Sequence, residues 1–234
     1  MWVLGLSLVA LFVLAPPRLQ AAGRVVTFPG LDGRPSSGLF LEADDRPAPA
    51  VVLVPMLGRT KDDWHAVGQR LAEANLNVLA IDLPSTVLPA DPMELARWPQ
   101  AVSGAVAYLA GRSDDVRGGA IGVAGASLGA TLAAAAAAGD PAIRSLALIS
   151  PSLDYRGVRI EPALAEYAAR PALLMASLHD PYAARSVRAL ARAAKGIRDV
   201  RWSAIAAHGS VLLEKDPELV RALVEWFRLT LPVS

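Results

Sequence analysis

The feature that most narrows what this chain can become is a series of short, largely apolar runs separated by longer helical patterns. Residues 50–54, 77–81, 120–124, 146–149, 172–176 and 200–205 each have strand length, and most are apolar throughout. A strand that is apolar on every residue must be covered on both faces, which is the condition of central strands in a parallel sheet. Helical patterns fill the intervals at 62–74, 95–110, 128–138, 181–194 and 217–231. Such alternation predicts a parallel sheet layered between helices. Two earlier runs, 25–28 and 38–42, flank the turn-forming Pro29-Gly30-Leu31-Asp32-Gly33 stretch and are expected to form an antiparallel edge.

No fixed-period repeat and no flexible linker divides the sequence, so one core is expected. The chain has 234 residues, 53% of them hydrophobic and 19% charged, which is ample apolar surface for a compact domain. Its 23 basic residues nearly balance its 22 acidic ones and are scattered, leaving no electrostatic footprint for nucleic acid. Arg185, Arg188, Arg192 and Lys195 recur at helical spacing and read as a solvated helix face. Cysteine is absent, which excludes disulfides, thiolate catalysis and thiolate metal sites. Residues 2–15 are apolar or small and lead through Pro16-Pro17 to the small-residue stretch Gln20-Ala21-Ala22-Gly23. Residues 1–22 are therefore expected to be a signal peptide or a membrane anchor, with residues 23–234 as the folded, exported domain. The run is short for a membrane span and no basic residue precedes it, so a buried N-terminal helix remains an alternative.

Chemistry enters at Gly125-Ala126-Ser127-Leu128-Gly129. A G-x-S-x-G sequence between an apolar strand and a helix places the serine on a sharp turn with its hydroxyl exposed, and here the alanine-rich stretch 133–138 supplies the helix. Serine becomes a nucleophile only when a base takes its proton, and histidine suits that task near neutral pH. Of three histidines, His208 lies just beyond the last strand, on the side where a parallel sheet places its loops around a crevice. His65 and His179 read as structural. The imidazole in turn needs a carboxylate to fix its tautomer. Asp180 meets that need after the strand at 172–176, although an Asp before Pro181 also reads as a helix N-cap; Asp154 is the rival acid.

The order Ser127, Asp180, His208-Gly209, with the Gly125–Gly129 turn, resembles the α/β-hydrolase superfamily over nearly the whole chain after residue 22. The resemblance implies an α/β fold with a mostly parallel sheet of about eight strands, helices on both faces, and little or no lid. Among its members the chain is similar to compact carboxylesterases and dienelactone-hydrolase-like proteins, although dienelactone hydrolases use a cysteine nucleophile and this chain has none. One departure stands out: members often carry His-Gly after the third strand, where this sequence reads Val54-Pro55-Met56-Leu57-Gly58. Pro55 has no N–H, so the oxyanion donors are expected from the backbone of Met56 or Leu57 together with Leu128. Trp64, Met56, Leu57, Tyr155 and Tyr182 are candidates to line an apolar acyl pocket, with core or rim packing the stronger alternative.

The activity implied is cleavage of a carboxylic ester on a small or accessible acyl substrate, needing no metal and no organic cofactor. Thioester or peptide cleavage, acyl transfer to another acceptor, and a non-catalytic binding role on the same fold are the alternatives.

Overall fold

The computed structural model describes residues 23–193 and 195–232. In chain order the strands are β1 (Arg24–Pro29), β2 (Pro35–Leu41), β3 (Ala48–Val54), β4 (Asn77–Ile81), β5 (Val116–Ala126), β6 (Ile143–Ile149), β7 (Asp154–Tyr155), β8 (Val158–Arg159), β9 (Ala172–Ser177) and β10 (Arg198–Ser203). The helices are α1 (His65–Glu73), α2 (Pro92–Leu95), α3 (Pro99–Ala110), α4 (Leu128–Gly139), α5 (Ile160–Tyr167), α6 (Pro181–Arg192), α7 (Ser210–Lys215) and α8 (Pro217–Thr230). Eight strands form one sheet in the order β1-β2-β4-β3-β5-β6-β9-β10, and β7 and β8 make a separate small hairpin.

From β4 to β10 the sheet is parallel, while β2 runs antiparallel to both β1 and β4. Successive side chains of a strand point to opposite faces, and the apolar runs therefore feed two cores at once. Val52 and Val54 of β3 and Leu146 and Leu148 of β6 face the core covered by α2 to α6. Val51 and Leu53, with Ala147 and Ile149, face the core covered by α1, α7 and α8. This two-sided burial is the reason those strands carry no polar alternation.

The alanine run lies in α4, which is buried along nearly its whole length, because methyl side chains let the helix lie close to the sheet between α3 and α5. Its carboxyl end is held by Arg170, which donates to the carbonyls of Ala137, Asp140 and Ile143 at 2.7–2.8 Å while lying over the Tyr167 ring.

Several boundaries differ from the sequence reading. The stretch 62–74 opens as a 3-10 turn, Lys61–Trp64, and 95–110 breaks into α2 and α3 where Pro99 restarts the helix. The last strand ends at Ser203, so 204–209 is loop. The β7–β8 hairpin, α5 and α7 were not anticipated. α5 packs Ile160, Leu164 and Tyr167 into the core against α4, so this insertion builds no large lid. Residues 1–22, where the signal peptide or anchor is expected, lie outside the described residues; among those described, no helix is long and apolar enough to cross a membrane.

Candidate active site

Every strand of the parallel part points its carboxyl end the same way, and the residues singled out by the sequence follow β3, β5, β9 and β10 at that end. Ser127 occupies the junction of β5 and α4 with φ 51° and ψ −114°, a conformation costly for a residue with a side chain. Two close approaches hold the turn. A Cβ on Gly125 would sit 2.2 Å from the Gly129 carbonyl oxygen, and one on Gly129 would sit 2.4 Å from that of Val54 and 2.5 Å from that of Pro55. No larger residue fits either position, so the two glycines of the motif clamp the start of α4 against the end of β3. The Ser127 N–H is satisfied by Ile149 O at 2.9 Å.

The structure brings Ser127, His208 and Asp180 together. His208 Nε2 lies 2.8 Å from Ser127 Oγ, and His208 Nδ1 lies 2.5 Å from Asp180 Oδ2. An ionised carboxylate only accepts, which assigns the ring proton to Nδ1 and leaves Nε2 to accept from the Ser127 hydroxyl. Asp180 does two things at once: its other oxygen, Oδ1, accepts the Ala183 N–H at 3.1 Å and caps α6. The N-cap and the histidine partner are thus one carboxylate, held in place by the helix that it starts. Asp154, the rival, instead accepts the Gly157 N–H at 2.8 Å and closes the β7–β8 hairpin. His65 and His179 are exposed, and the histidine hydrogen-bonded to Ser127 Oγ and Asp180 Oδ2 is His208.

The loop bearing His208 has no regular structure, yet three buried serines hold its backbone. Ser203 Oγ accepts the Ile205 N–H at 3.0 Å, and Ser177 Oγ donates to Ile205 O at 2.6 Å. Ser150 Oγ accepts the Gly209 N–H at 3.0 Å. Sequence reasoning passed over all three; Ser150 and Ser177 carried a signal, a polar residue directly after an apolar strand run, whereas Ser203 lay inside the run 200–205 and carried none.

Around the nucleophile, Leu128 is the first residue of α4, so its N–H has no partner within the helix. The N–H groups of Met56 and Leu57 likewise have no protein acceptor among the described residues. The close approach of Gly129 to Val54 and Pro55 puts the start of this loop beside the first turn of α4. The Met56 side chain packs against Gly209, where a Cβ would meet its sulfur at 2.3 Å. The loop is itself anchored through Lys61, whose N–H and ammonium donate to the two oxygens of Asp82 at 2.9 and 2.8 Å.

The expected pocket residues divide. Trp64 is wholly buried in the core beneath α1, α7 and α8, where the 3-10 turn rotates its ring, so it cannot line a substrate pocket. Tyr155 and Leu57 are partly buried and pack against the core on the opposite face. Tyr182 is about half exposed; its hydroxyl pairs with Ser152 Oγ at 3.0 Å, and it lines a shallow cavity of about 460 Å³ with Asp180, Pro181 and Arg185. A larger cavity of about 600 Å³, beside Ala74 and Leu229, includes none of Ser127, Asp180 or His208. The His208 side chain is 48% exposed, so the site is open. Among the described residues no cluster of three or more His, Asp or Glu side chains could hold a metal ion.

No protein-family model and no curated protein sequence matches the chain. Solved structures do. Dienelactone hydrolase from Anabaena variabilis superposes with a TM-score of 0.74 at 19% identity, covering 92% of this chain and all of that one. A thermophilic carboxylesterase cloned from a metagenomic library gives 0.71 at 19%, covering 92% and 90%. An esterase of Pyrococcus furiosus gives 0.75 at 14%, covering 95% and 96%. At such identities the likeness speaks to architecture, and the architecture is the α/β-hydrolase fold.

Proposed function

We propose that the protein is a serine hydrolase that cleaves carboxylic esters with small or accessible acyl groups. The observation that carries this reading is the unbroken hydrogen-bonded line Ser127 Oγ, His208 Nε2, His208 Nδ1, Asp180 Oδ2, with spans of 2.8 and 2.5 Å. The fold's likeness to esterases supports it independently.

In this reading Ser127 Oγ attacks the ester carbonyl carbon while its proton passes to His208 Nε2. Asp180 holds the ring in the tautomer that leaves Nε2 free and balances the imidazolium charge that develops. Negative charge gathers on the carbonyl oxygen, which the N–H of Leu128 and that of Met56 or Leu57 stabilise; one such donor is worth about a hundredfold or more in rate. His208 then protonates the departing alcohol, and the acyl group stays on Ser127. Water, deprotonated by the same imidazole, releases the acid and regenerates the serine.

Substrate size follows from the openness of His208 and the shallowness of the cavity at Tyr182. With α5 folded into the core instead of over the site, little apolar surface is left to hold a long chain. Tyr182 forms part of the rim. Residues 1–22 would place this activity outside the cytoplasm, as a released enzyme or one tethered through residues 2–15.

Turnover of p-nitrophenyl esters from acetate to laurate tests the reading. The expected result is fastest cleavage of the short esters by the wild type and a loss of about 10⁴-fold or more in Ser127→Ala and His208→Ala. A folded wild type that cleaves none of the series would refute the ester reading, and preference for laurate would refute the substrate size.

A further inference from the structure

The imidazole of His208 must sit within hydrogen-bond reach of two groups on two other strands, yet the loop that carries it, residues 204–209, contributes no helix or strand to hold it. We infer that Ser150, Ser177 and Ser203 are positioning residues, a set of three buried hydroxyls that fixes the histidine loop relative to the nucleophile and the acid. The inference rests on the hydrolase reading for its consequence in rate, but not for its geometry.

The three serines occupy equivalent places. Ser177 and Ser203 are the last residues of β9 and β10, and Ser150 is the first residue past β6. Each is 0–2% exposed; Ser150 and Ser177 end apolar runs, and Ser203 is the one buried residue of the edge strand β10. Isolated hydroxyls in such surroundings are costly unless they are paired, and each is paired to the loops of the site. Ile205, at the start of the loop, is held through both backbone groups, its N–H by Ser203 and its C=O by Ser177. Gly209, at the end, is held through its N–H by Ser150. Only three residues lie between these ties, and His208 is one of them.

Each tie also reaches a second partner. Ser177 Oγ accepts the His179 N–H at 3.0 Å, and Asp180 N–H donates to Ser177 O at 3.2 Å, so one serine serves both the acid's turn and the histidine's loop. Ser150 follows Ile149, whose carbonyl accepts the Ser127 N–H, and Ser150 N–H donates to Met175 O at 2.7 Å. Ser150 thus ties the histidine loop to the strand that touches the nucleophile. Ser203 Oγ donates to Asp216 Oδ2 at 2.5 Å, and Asp216 caps α8. A geometry built this way keeps Nε2 at Ser127 without help from substrate, which is what an open site demands.

Ser150→Gly is the first variant. Ser150 has φ 48°, a conformation that glycine adopts freely, so the change removes the hydroxyl while relieving backbone strain. Ser177→Ala is the second. Ser145→Ala is the control: Ser145 is equally buried and hydrogen-bonded, to Thr230 at 2.7 Å, but lies toward the other end of β6. Two readouts are taken on the full chain: kcat and KM for p-nitrophenyl acetate, and the downfield proton resonance of His208 Nδ1–H, which reports the Asp180 contact whether or not an ester is cleaved. The expected result for Ser150→Gly and Ser177→Ala is a fall in kcat of about ten- to a hundredfold with KM nearly unchanged, and a broadened or lost resonance. Ser145→Ala is expected to lower the melting temperature while leaving both readouts intact. Wild-type kcat and a wild-type resonance in Ser150→Gly and Ser177→Ala would overturn the inference. If the wild type cleaves no ester, the resonance alone decides, and the hydrolase reading fails separately.

Discussion

Gly129→Ala puts a single methyl group into the narrowest contact of the site. The added Cβ would lie 2.4 Å from Val54 O and 2.5 Å from Pro55 O, whereas ordinary contact begins at 3.4 Å. Both neighbours are backbone, so no flexible side chain can swing away, and the start of α4 and the end of β3 must part by about 1 Å. Overpacking of this kind costs about 1–3 kcal/mol, or roughly 2–4 °C of melting temperature for each kcal/mol in a domain of this size. The larger effect falls on rate, because the same movement separates the Leu128 N–H from the Met56 and Leu57 N–H groups on the opposite side of the contact. A displacement of about 1 Å is expected to lower kcat by about a hundredfold. Gly139→Ala, at the far end of the same helix, meets nothing within 4 Å and should gain roughly 0.5–1 kcal/mol with unchanged turnover. Paired melting curves and ester kinetics on the two variants provide the assay. Full activity in Gly129→Ala would refute the view that the motif's second glycine sets the distance between the oxyanion donors.

Three further outcomes follow from the same contacts. Arg170→Met removes charge-assisted hydrogen bonds to Ala137 O and Asp140 O at the end of α4, to Ile143 O of β6 and to Tyr167 O, and should cost about 3 kcal/mol in denaturant unfolding while the folded protein keeps its kcat. Burial pushes the Tyr167 phenol well above its ordinary 10.0, against the pull of Arg170, Arg198 and Arg144, so in alkaline difference spectra Tyr167 should stay protonated for as long as the protein stays folded. Because only the unfolded chain releases that proton near pH 10, this contribution to stability is complete below pH 10 and declines above it, visible as a falling melting temperature. Asp180→Asn should lower kcat by about 10⁴-fold, since an amide in that place favours the wrong imidazole tautomer, while the cap on Ala183 N–H survives and with it most of the stability.

Much of this architecture was legible because the apolar runs are buried on both faces: 77–81 coincides with β4, and the other central runs sit inside their strands. The glycine-flanked serine was readable for a steric reason, since 2.2 and 2.4 Å approaches leave no room for another residue at 125 or 129. What misled was apolar sequence in loops. Ala204 and Ile205 read as a continuation of the last strand, yet β10 is an edge strand that ends at Ser203, where the side-chain ties begin. Helix α5 did carry its signal, with Ile160, Ala163, Leu164 and Tyr167 buried at spacings of three, four and seven, although α7 is too short for any period to register. Trp64 takes the packing alternative and not the pocket, a choice left open in the sequence because position along a loop does not say which way a 3-10 turn rotates a side chain. The division of Asp180 between helix cap and histidine partner needed coordinates, since sequence presents the two roles as alternatives.

Fluorophosphonate labelling, with the modified peptide located by mass spectrometry, tests the central claim most directly, because it asks whether Ser127 is an activated nucleophile without presuming a substrate. The account predicts a single adduct on Ser127 in the wild type and none in Ser127→Ala or His208→Ala. A folded wild type that stays unlabelled, or a label that persists at full rate in His208→Ala, would contradict it.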